Sequence, residues 1–507
     1  MSGSHLGALV EGSLERRGDA ATLVCHGRRL TGTERLDTVR RLTGGLVALG
    51  LRPGDRVMVC LANGPEVEAM YAAVWRAGAV VTPVVFLLSE AELRHVLVDS
   101  GAVMAVTSPE LLPRVAAAAG VDTVRQIVVA GHTDAAGRVV PYADLLAAEP
   151  HPLVPRDERD LATLMYTGGT TGRAKGVMLS HANLWFCGHA AYERSRDSLE
   201  RASTLVSLPL SHAYGLIVTI VGAFLEDAGT AVLMRWFEPG AWLRLAVEHR
   251  VTNSPLVPSM IALLLQQPLE EYDLSALRHV TTGAAPLPAA MRAEWERRLP
   301  DAQLLEGYGC TESAAVISSS VPGESRPGAV GKPLPGYEVR VVDDLDQPVP
   351  PAVDGEVVVR SPGVMLGYWN DPVATAATLR NGWLHTGDIG HLDADGFLVL
   401  VDRKKDLIIR SGMNVFPRDV EEVLLTHPDV GGAAVVGRPD PVRGEEIVAF
   451  VAPRHGAVLD PDEVVDFARG RLSGIHRPHE VRVVDAIPLT SVGKTDRKAL
   501  RTRLVPG

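Results

Sequence analysis

The sequence predicts an α/β protein in two parts, a large N-terminal domain of helix-covered sheets and a small α+β domain at the C-terminal end. Length is the first reason: 507 residues exceed one ordinary domain. The second is the alternation of helical and β-type apolar runs through the first third of the chain, an order that builds largely parallel sheets. The third is a dense run of charges, Asp402 to Asp406, that separates two apolar segments as an interdomain linker does. The expected domains are 1–403 and 404–507.

Leu36, Val39, Leu42 and Leu46 fall on one helical face, with Gly50 as a stop. Pro53-Gly54-Asp55 turns the chain into a strand over 57–61. Pro65 opens a helix carrying Val67, Met70, Ala73 and Val74, and Val80-Val81 resumes a strand. This third reads as scaffold. Residues 161–165 and 177–179 are strands flanking a polar loop, and Ser180 is placed to cap the next helix. A strand ending at Pro209 leaves His212 and Tyr214 on a loop, and 257–260 and 281–287 are strand-to-loop transitions. In the tail, 420–425 and 461–472 are helices, while 432–436 and 447–451 are strands.

Composition narrows the function. A formal net charge of −11 argues against a nucleic-acid partner, which needs a basic face. Cys25, Cys60, Cys187 and Cys310 lack CxxC spacing, so neither a disulfide framework nor a zinc site is expected. The N-terminus carries Glu11 and Glu15 without an apolar core segment, and the longest apolar run, 215–225, falls short of the ~20 residues that span a bilayer. A cytoplasmic protein is expected.

The chemistry centres on Tyr166-Thr167-Gly168-Gly169-Thr170-Thr171-Gly172-Arg173-Ala174-Lys175-Gly176. Its glycines let successive N–H groups converge on one anion, the threonines add hydroxyl donors, and Lys175 adds a mobile charge. Such a loop suits a polyphosphate. It differs from G-x-x-x-x-G-K-[ST], because Ala174 precedes the lysine and Gly176 follows it.

This loop resembles the signature of the adenylate-forming (AMP-binding) superfamily, in its acyl- and aryl-CoA synthetase branch, with Gly168 in place of a serine and Ala174 in place of a proline. The large domain is then expected to bind ATP and the acid, and the small one to be mobile. Further segments agree. Glu306-Gly307-Tyr308-Gly309-Cys310-Thr311-Glu312 is similar to the family's Tyr-Gly-x-Thr-Glu: the resemblance implies adenine stacking on Tyr308, a donor to the α-phosphate in Thr311, and Mg²⁺ on Glu312. Tyr308, flanked by glycines, reads as free of neighbouring side chains. Pro209 to Gly215 resembles the segment whose histidine lines the acyl pocket, which gives His212 that role. Gly283-Ala284-Ala285 and Val257-Pro258-Ser259 resemble loops beside adenine and the acid, so His212, Ala213, Tyr214, Gly215, Val257, Pro258, Ser259, Gly283 and Cys310 are expected at the acid.

Trp383 to Asp388 resembles Trp-x-x-Thr-Gly-Asp, which makes Asp388 the ribose ligand. Arg403 inherits a ribose or phosphate contact, and Lys405 the pivot of a rotating C-terminal domain. Ser411-Gly412-Met413-Asn414 resembles the channel for the acceptor's pantetheine arm. Pro488 to Lys494 resembles the ending that carries the catalytic lysine, Lys494. Ile475-His476-Arg477-Pro478 departs from the usual Tyr-Lys-x-Pro. The resemblance implies an ATP-dependent acid–CoA ligase that uses ATP, Mg²⁺ and coenzyme A. Pocket segments without arginine or lysine favour an acid with an uncharged aryl or medium-chain tail. Alternatives are transfer to an amine or a carrier-protein thiol, luciferase-like oxidation, and a non-catalytic nucleotide sensor. Retention of both Glu312 and Lys494 speaks against the sensor.

Overall fold

The computed structural model describes residues 5–131, 134–167, 173–199, 202–225, 229–411, 413–454, 456–490 and 495–504. Two large sheets organise the first part. One contains Arg56–Val59, Val80–Pro83, Met104–Thr107 and Gln126–Val129 as parallel strands, extended by Leu161–Thr167, Lys175–Ser180 and Gly367–Tyr368. The other contains Ala21–Cys25, Thr230–Leu233, Ser203–Val206, Asn253–Leu256, His279–Thr282 and Gln303–Tyr308.

Side-chain alternation sets the layering. Val57 and Val59 enter a core shared by both sheets, while Met58 and Cys60 face a separate core on the other side. In the second sheet Leu23 joins the shared core and Val24 the outer one. Helices Leu6–Arg17, Gly32–Ala48 and Pro65–Arg76 fill the shared layer with Val10, Leu42 and Trp75. The Gly32–Ala48 helix begins where Thr31 and Glu34 cap each other reciprocally, a device that contributes about 1 kcal/mol. Helices Pro239–Glu248, Pro258–Leu265 and Ala289–Arg298 cover the outer face of the second sheet.

A third, antiparallel sheet follows, with Trp383–Leu392 between Gly355–Arg360 and Leu398–Arg403. The C-terminal sheet, Ile408–Arg410, Met413–Val415, Val430–Asp440, Gly444–Pro453 and Glu480–Val483, has its own core of Ile408, Val420, Val435, Ile447 and Val464. A large N-terminal part and a small C-terminal part are therefore both present. Among the described residues no helix is long and apolar enough to cross a membrane.

Three local expectations need correction. Residues 257–260 are a strand-to-helix transition: Asn253–Leu256 ends and Pro258 opens the helix Pro258–Leu265, as its fixed φ and missing N–H favour. Tyr214 is helical (φ −60°, ψ −49°) rather than in a loop, because it leads directly into the π-type turn Gly215–Val221. The last long helix stops at Arg469, before Gly470.

Candidate active site

Ser203–Val206, Asn253–Leu256, His279–Thr282 and Gln303–Tyr308 are adjacent and parallel. Their carboxyl ends open on one edge, where ligands of open α/β sheets sit. That edge gathers His212 to Gly215, Val257 to Ser259, Gly283 to Ala285 and Gly307 to Glu312. Thr282 pairs with Glu306, so Gly283 runs beside Gly307. A Cβ at Gly283 would lie 2.7 Å from the Gly307 carbonyl oxygen, which explains the small residue. Ala284 turns the loop with φ +67°.

On one side, Asn63 fixes the approach to His212. Its Nδ2 donates to the carbonyls of Leu208 (2.8 Å) and Met234 (3.2 Å), and its Oδ1 accepts from Leu210 N (2.9 Å). His212 Nδ1 accepts from the backbone N–H of Tyr214 at 3.3 Å, so a neutral ring carries its proton on Nε2. The Tyr214 hydroxyl donates to Thr281 Oγ1 at 3.2 Å. Burial pushes the Tyr214 phenol up to about 12, so it stays a donor at neutral pH. A Cβ at Gly215 would come 2.2 Å from the Pro209 carbonyl oxygen, so only glycine lets the helix start against this loop.

On the other side Tyr308 has a side-chain partner, contrary to expectation. Its hydroxyl donates to Asp388 Oδ2 at 2.6 Å. Burial, and then the Asp388 carboxylate, hold the phenol well above its ordinary range. Gly309 is small for a different reason than freeing Tyr308: a Cβ there would lie 1.9 Å from the Ala315 carbonyl oxygen. Asp388 and Arg403 are opposite each other in the antiparallel ladder, with Arg403 Nε 3.1 Å from Asp388 Oδ1. The two signature segments and Arg403 thus form one continuous chain of contacts.

Thr167 and Lys175 face each other at the ends of paired antiparallel strands. Two residues from the presumed scaffold brace these ends. Asp99 Oδ2 accepts from the Tyr166 hydroxyl at 2.6 Å, and His95 Nε2 donates to the Ala174 carbonyl at 2.8 Å. The expectations for Gly168, Gly169, Thr170, Thr171, Gly172, Gly412 and Lys494 lie outside the described residues.

Glu312 sits in a short 3₁₀ turn, Thr311–Ser313. Its Oε1 accepts from the Tyr368 hydroxyl at 2.8 Å, and its backbone carbonyl accepts from Met365 N at 2.8 Å. The carboxylate lines an open cavity of about 410 Å³, together with Cys310, Tyr368, Thr386, Gly387 and Lys404. Glu356 lines the same cavity beside Lys404, and a carboxylate facing open space fits Mg²⁺ carried by phosphates, which recruits only one or two protein carboxylates. Burial raises the Cys310 thiol, so it is not a thiolate. Lys405 lies in an exposed turn, and its neighbour Lys404 places Nζ 2.9 Å from Asp344 Oδ1. Ser411 (φ +51°), Met413 and Asn414 are exposed on the hairpin of the C-terminal sheet.

Known proteins agree with this architecture. Residues 10–369 match the AMP-binding enzyme family and residues 419–494 match the AMP-binding enzyme C-terminal domain. A feruloyl-CoA synthase of Amycolatopsis sp is 40% identical, over 95% of this chain and 96% of that protein. The structure of the amide bond synthetase McbA from Marinactinospora thermotolerans is similar with a TM-score of 0.88 and 34% identity, over 99% of this chain and 100% of that one. That of the anthranilate CoA ligase AuaEII in complex with anthranoyl-AMP has a TM-score of 0.92 and 26% identity, over 98% and 97%. Fold and relatives define an ATP-dependent, AMP-forming acid–thiol ligase. The chain belongs to the AMP-binding enzyme family, in the branch of acyl- and aryl-CoA synthetases.

Proposed function

We propose that the protein activates an aryl acid bearing no second charge, with a hydroxylated cinnamate as first choice, and transfers the acyl group to coenzyme A. The choice of acid rests on our assignment of His212 and Tyr214 to the wall of the acid pocket. That wall presents the Tyr214–Thr281 hydroxyl pair at 3.2 Å and no cation within 212–215, 257–259 or 283–285. A second carboxylate buried there would lack a partner, at a cost of several kcal/mol, whereas a phenolic tail would meet hydroxyls. The feruloyl-CoA synthase and the anthranilate CoA ligase, whose names specify aryl acids, support the same reading.

In the first half-reaction the acid's carboxylate oxygen attacks the α-phosphorus of ATP, and pyrophosphate leaves. In our assignment Tyr308 and Gly283 to Ala285 flank adenine, and Asp388, held by Tyr308 and Arg403, accepts from the ribose. The backbone of Gly168–Gly172, with Thr311 and Lys494, donates to the phosphate oxygens. Glu312 would hold Mg²⁺, which would supply charge neutralisation on the phosphates. Removing one preorganised donor of this kind costs about 10²–10³ in rate. In the second half-reaction the coenzyme A sulfur attacks the acyl carbonyl, AMP leaves, and the small domain pivots near Lys405 so that Ser411 to Asn414 replaces Lys494 at the site.

The experiment is ATP–pyrophosphate exchange across a panel of acids, followed by mass spectrometry of products with coenzyme A supplied. Exchange restricted to dicarboxylates would overturn the assignment of the acid. The similarity to McbA favours one second reading, transfer to an amine. Amide formation without a thioester when both acceptors are present would select it.

A further inference from the structure

Tyr368 touches both ionic ends of the phosphate site. It lies on the short strand Gly367–Tyr368, which pairs antiparallel with Lys175–Ser180 so that Tyr368 is opposite Val177. Lys175, two residues from Val177, is therefore its diagonal neighbour on the same face. The Lys175 Nζ stands 5.0 Å from the centre of the Tyr368 ring, within range of a cation–π contact, and 4.0 Å from Asp371 Oδ2. At its other end the same side chain donates its hydroxyl hydrogen to Glu312 Oε1 at 2.8 Å.

The strand's backbone reinforces both contacts. Trp369 N donates to the Gly176 carbonyl (2.7 Å), and Met365 N donates to the Glu312 carbonyl (2.8 Å). Tyr368 is itself pinned, because its backbone N–H donates to Thr375 Oγ1 at 2.8 Å. A hydrogen bond from a fixed donor holds a carboxylate in one rotamer, and partners of that kind typically change metal affinity about 10–100-fold when removed.

We propose that Tyr368 is a positioning residue that ties the metal carboxylate Glu312 to the phosphate-loop cation Lys175, setting the two charges in register before nucleotide arrives. The inference rests on the reading of Glu312 as the metal's protein ligand. The two ends of the side chain do separable work: the hydroxyl orients Glu312, and the ring orients Lys175.

The test uses the full chain with a non-hydrolysable ATP analogue. Nucleotide affinity is measured by calorimetry without metal, and Mn²⁺ affinity of the nucleotide complex by electron paramagnetic resonance. Tyr368→Phe, which keeps the ring, should weaken Mn²⁺ binding about 10-fold or more, leave metal-free nucleotide affinity within about twofold, and leave the melting temperature unchanged. Tyr368→Leu should weaken both. Glu312→Gln is the control for the underlying reading. If Glu312→Gln weakens Mn²⁺ binding and Tyr368→Phe does not, the positioning role is wrong while the metal assignment stands. If Glu312→Gln leaves Mn²⁺ binding intact, the metal assignment falls and the inference falls with it. Equal losses of metal and nucleotide affinity in Tyr368→Phe, or a lowered melting temperature, would make Tyr368 merely structural.

Discussion

Tyr308 donates its phenolic hydrogen to Asp388 at 2.6 Å, joining the end of a strand of the parallel sheet to a strand of the antiparallel one. The bond orients the carboxylate assigned to the ribose before any nucleotide is present. Asp388 takes Tyr308 on one oxygen and Arg403 on the other. Hydrogen bonds to charged groups contribute roughly 1.5–3 kcal/mol each. Asp388→Ala should therefore weaken ATP about 10–100-fold by calorimetry. Tyr308→Phe, which keeps the ring for adenine, should cost less than Asp388→Ala. Equal affinity of Asp388→Ala and wild type would remove Asp388 from the site.

Asn63 makes three hydrogen bonds while buried, all to backbone groups that set the course of the 208–210 segment and the neighbouring strand. Asn63→Ala leaves a buried N–H and two carbonyls unpaired, each costing about 1–3 kcal/mol. The variant should lose several degrees of melting temperature and raise the KM for the acid more than that for ATP. Unchanged stability would contradict this.

The N-terminal helix predicts an acid limit to stability. His5 and His181 stack at 4.4 Å, with Arg156 and Arg76 nearby and Asp160 opposing them. Burial lowers both rings, His181 to about 3. The unfolded chain takes up these protons near pH 6.5 and the folded chain does not. Stability is complete above that value and falls as pH drops from about 6.5 toward 3. His181 alone should cost about 2 kcal/mol by pH 5. Melting temperatures between pH 7.5 and 5 should fall less steeply in His181→Gln than in wild type, and parallel curves would contradict the account.

Elements with a local signature were legible in the sequence. The strands on either side of 168–172 follow from short apolar runs, and Ser180 does cap the helix His181–Leu199, its Oγ accepting from Asn183 N at 3.1 Å. The Arg403–Asp388 pairing and the gathering of separate loops on one sheet edge bring together segments that the sequence links only by resemblance. What stayed hidden acts across long sequence distances. Asp99 and His95 brace Tyr166 and Ala174 from a helix that reads as scaffold, because its periodicity reports the buried face and not the rim. Tyr368 sits in a two-residue strand, too short for any period. Two local signals were missed: Pro258, since proline after an apolar run marks a helix start as readily as a loop, and Gly470, which follows the end of the helix Pro461–Arg469.

The central claim is that this chain adenylates an aryl acid with Lys494 acting on the α-phosphate. ATP–pyrophosphate exchange measured with a hydroxycinnamate tests it most directly, comparing wild type with Lys494→Ala and then supplying each with synthetic acyl-adenylate and coenzyme A. The account predicts acid-dependent exchange in wild type, a loss of about 10²–10³ or more in Lys494→Ala, and thioester formation from the adenylate by both. Exchange that survives in Lys494→Ala, or none with any acid in wild type, would contradict it.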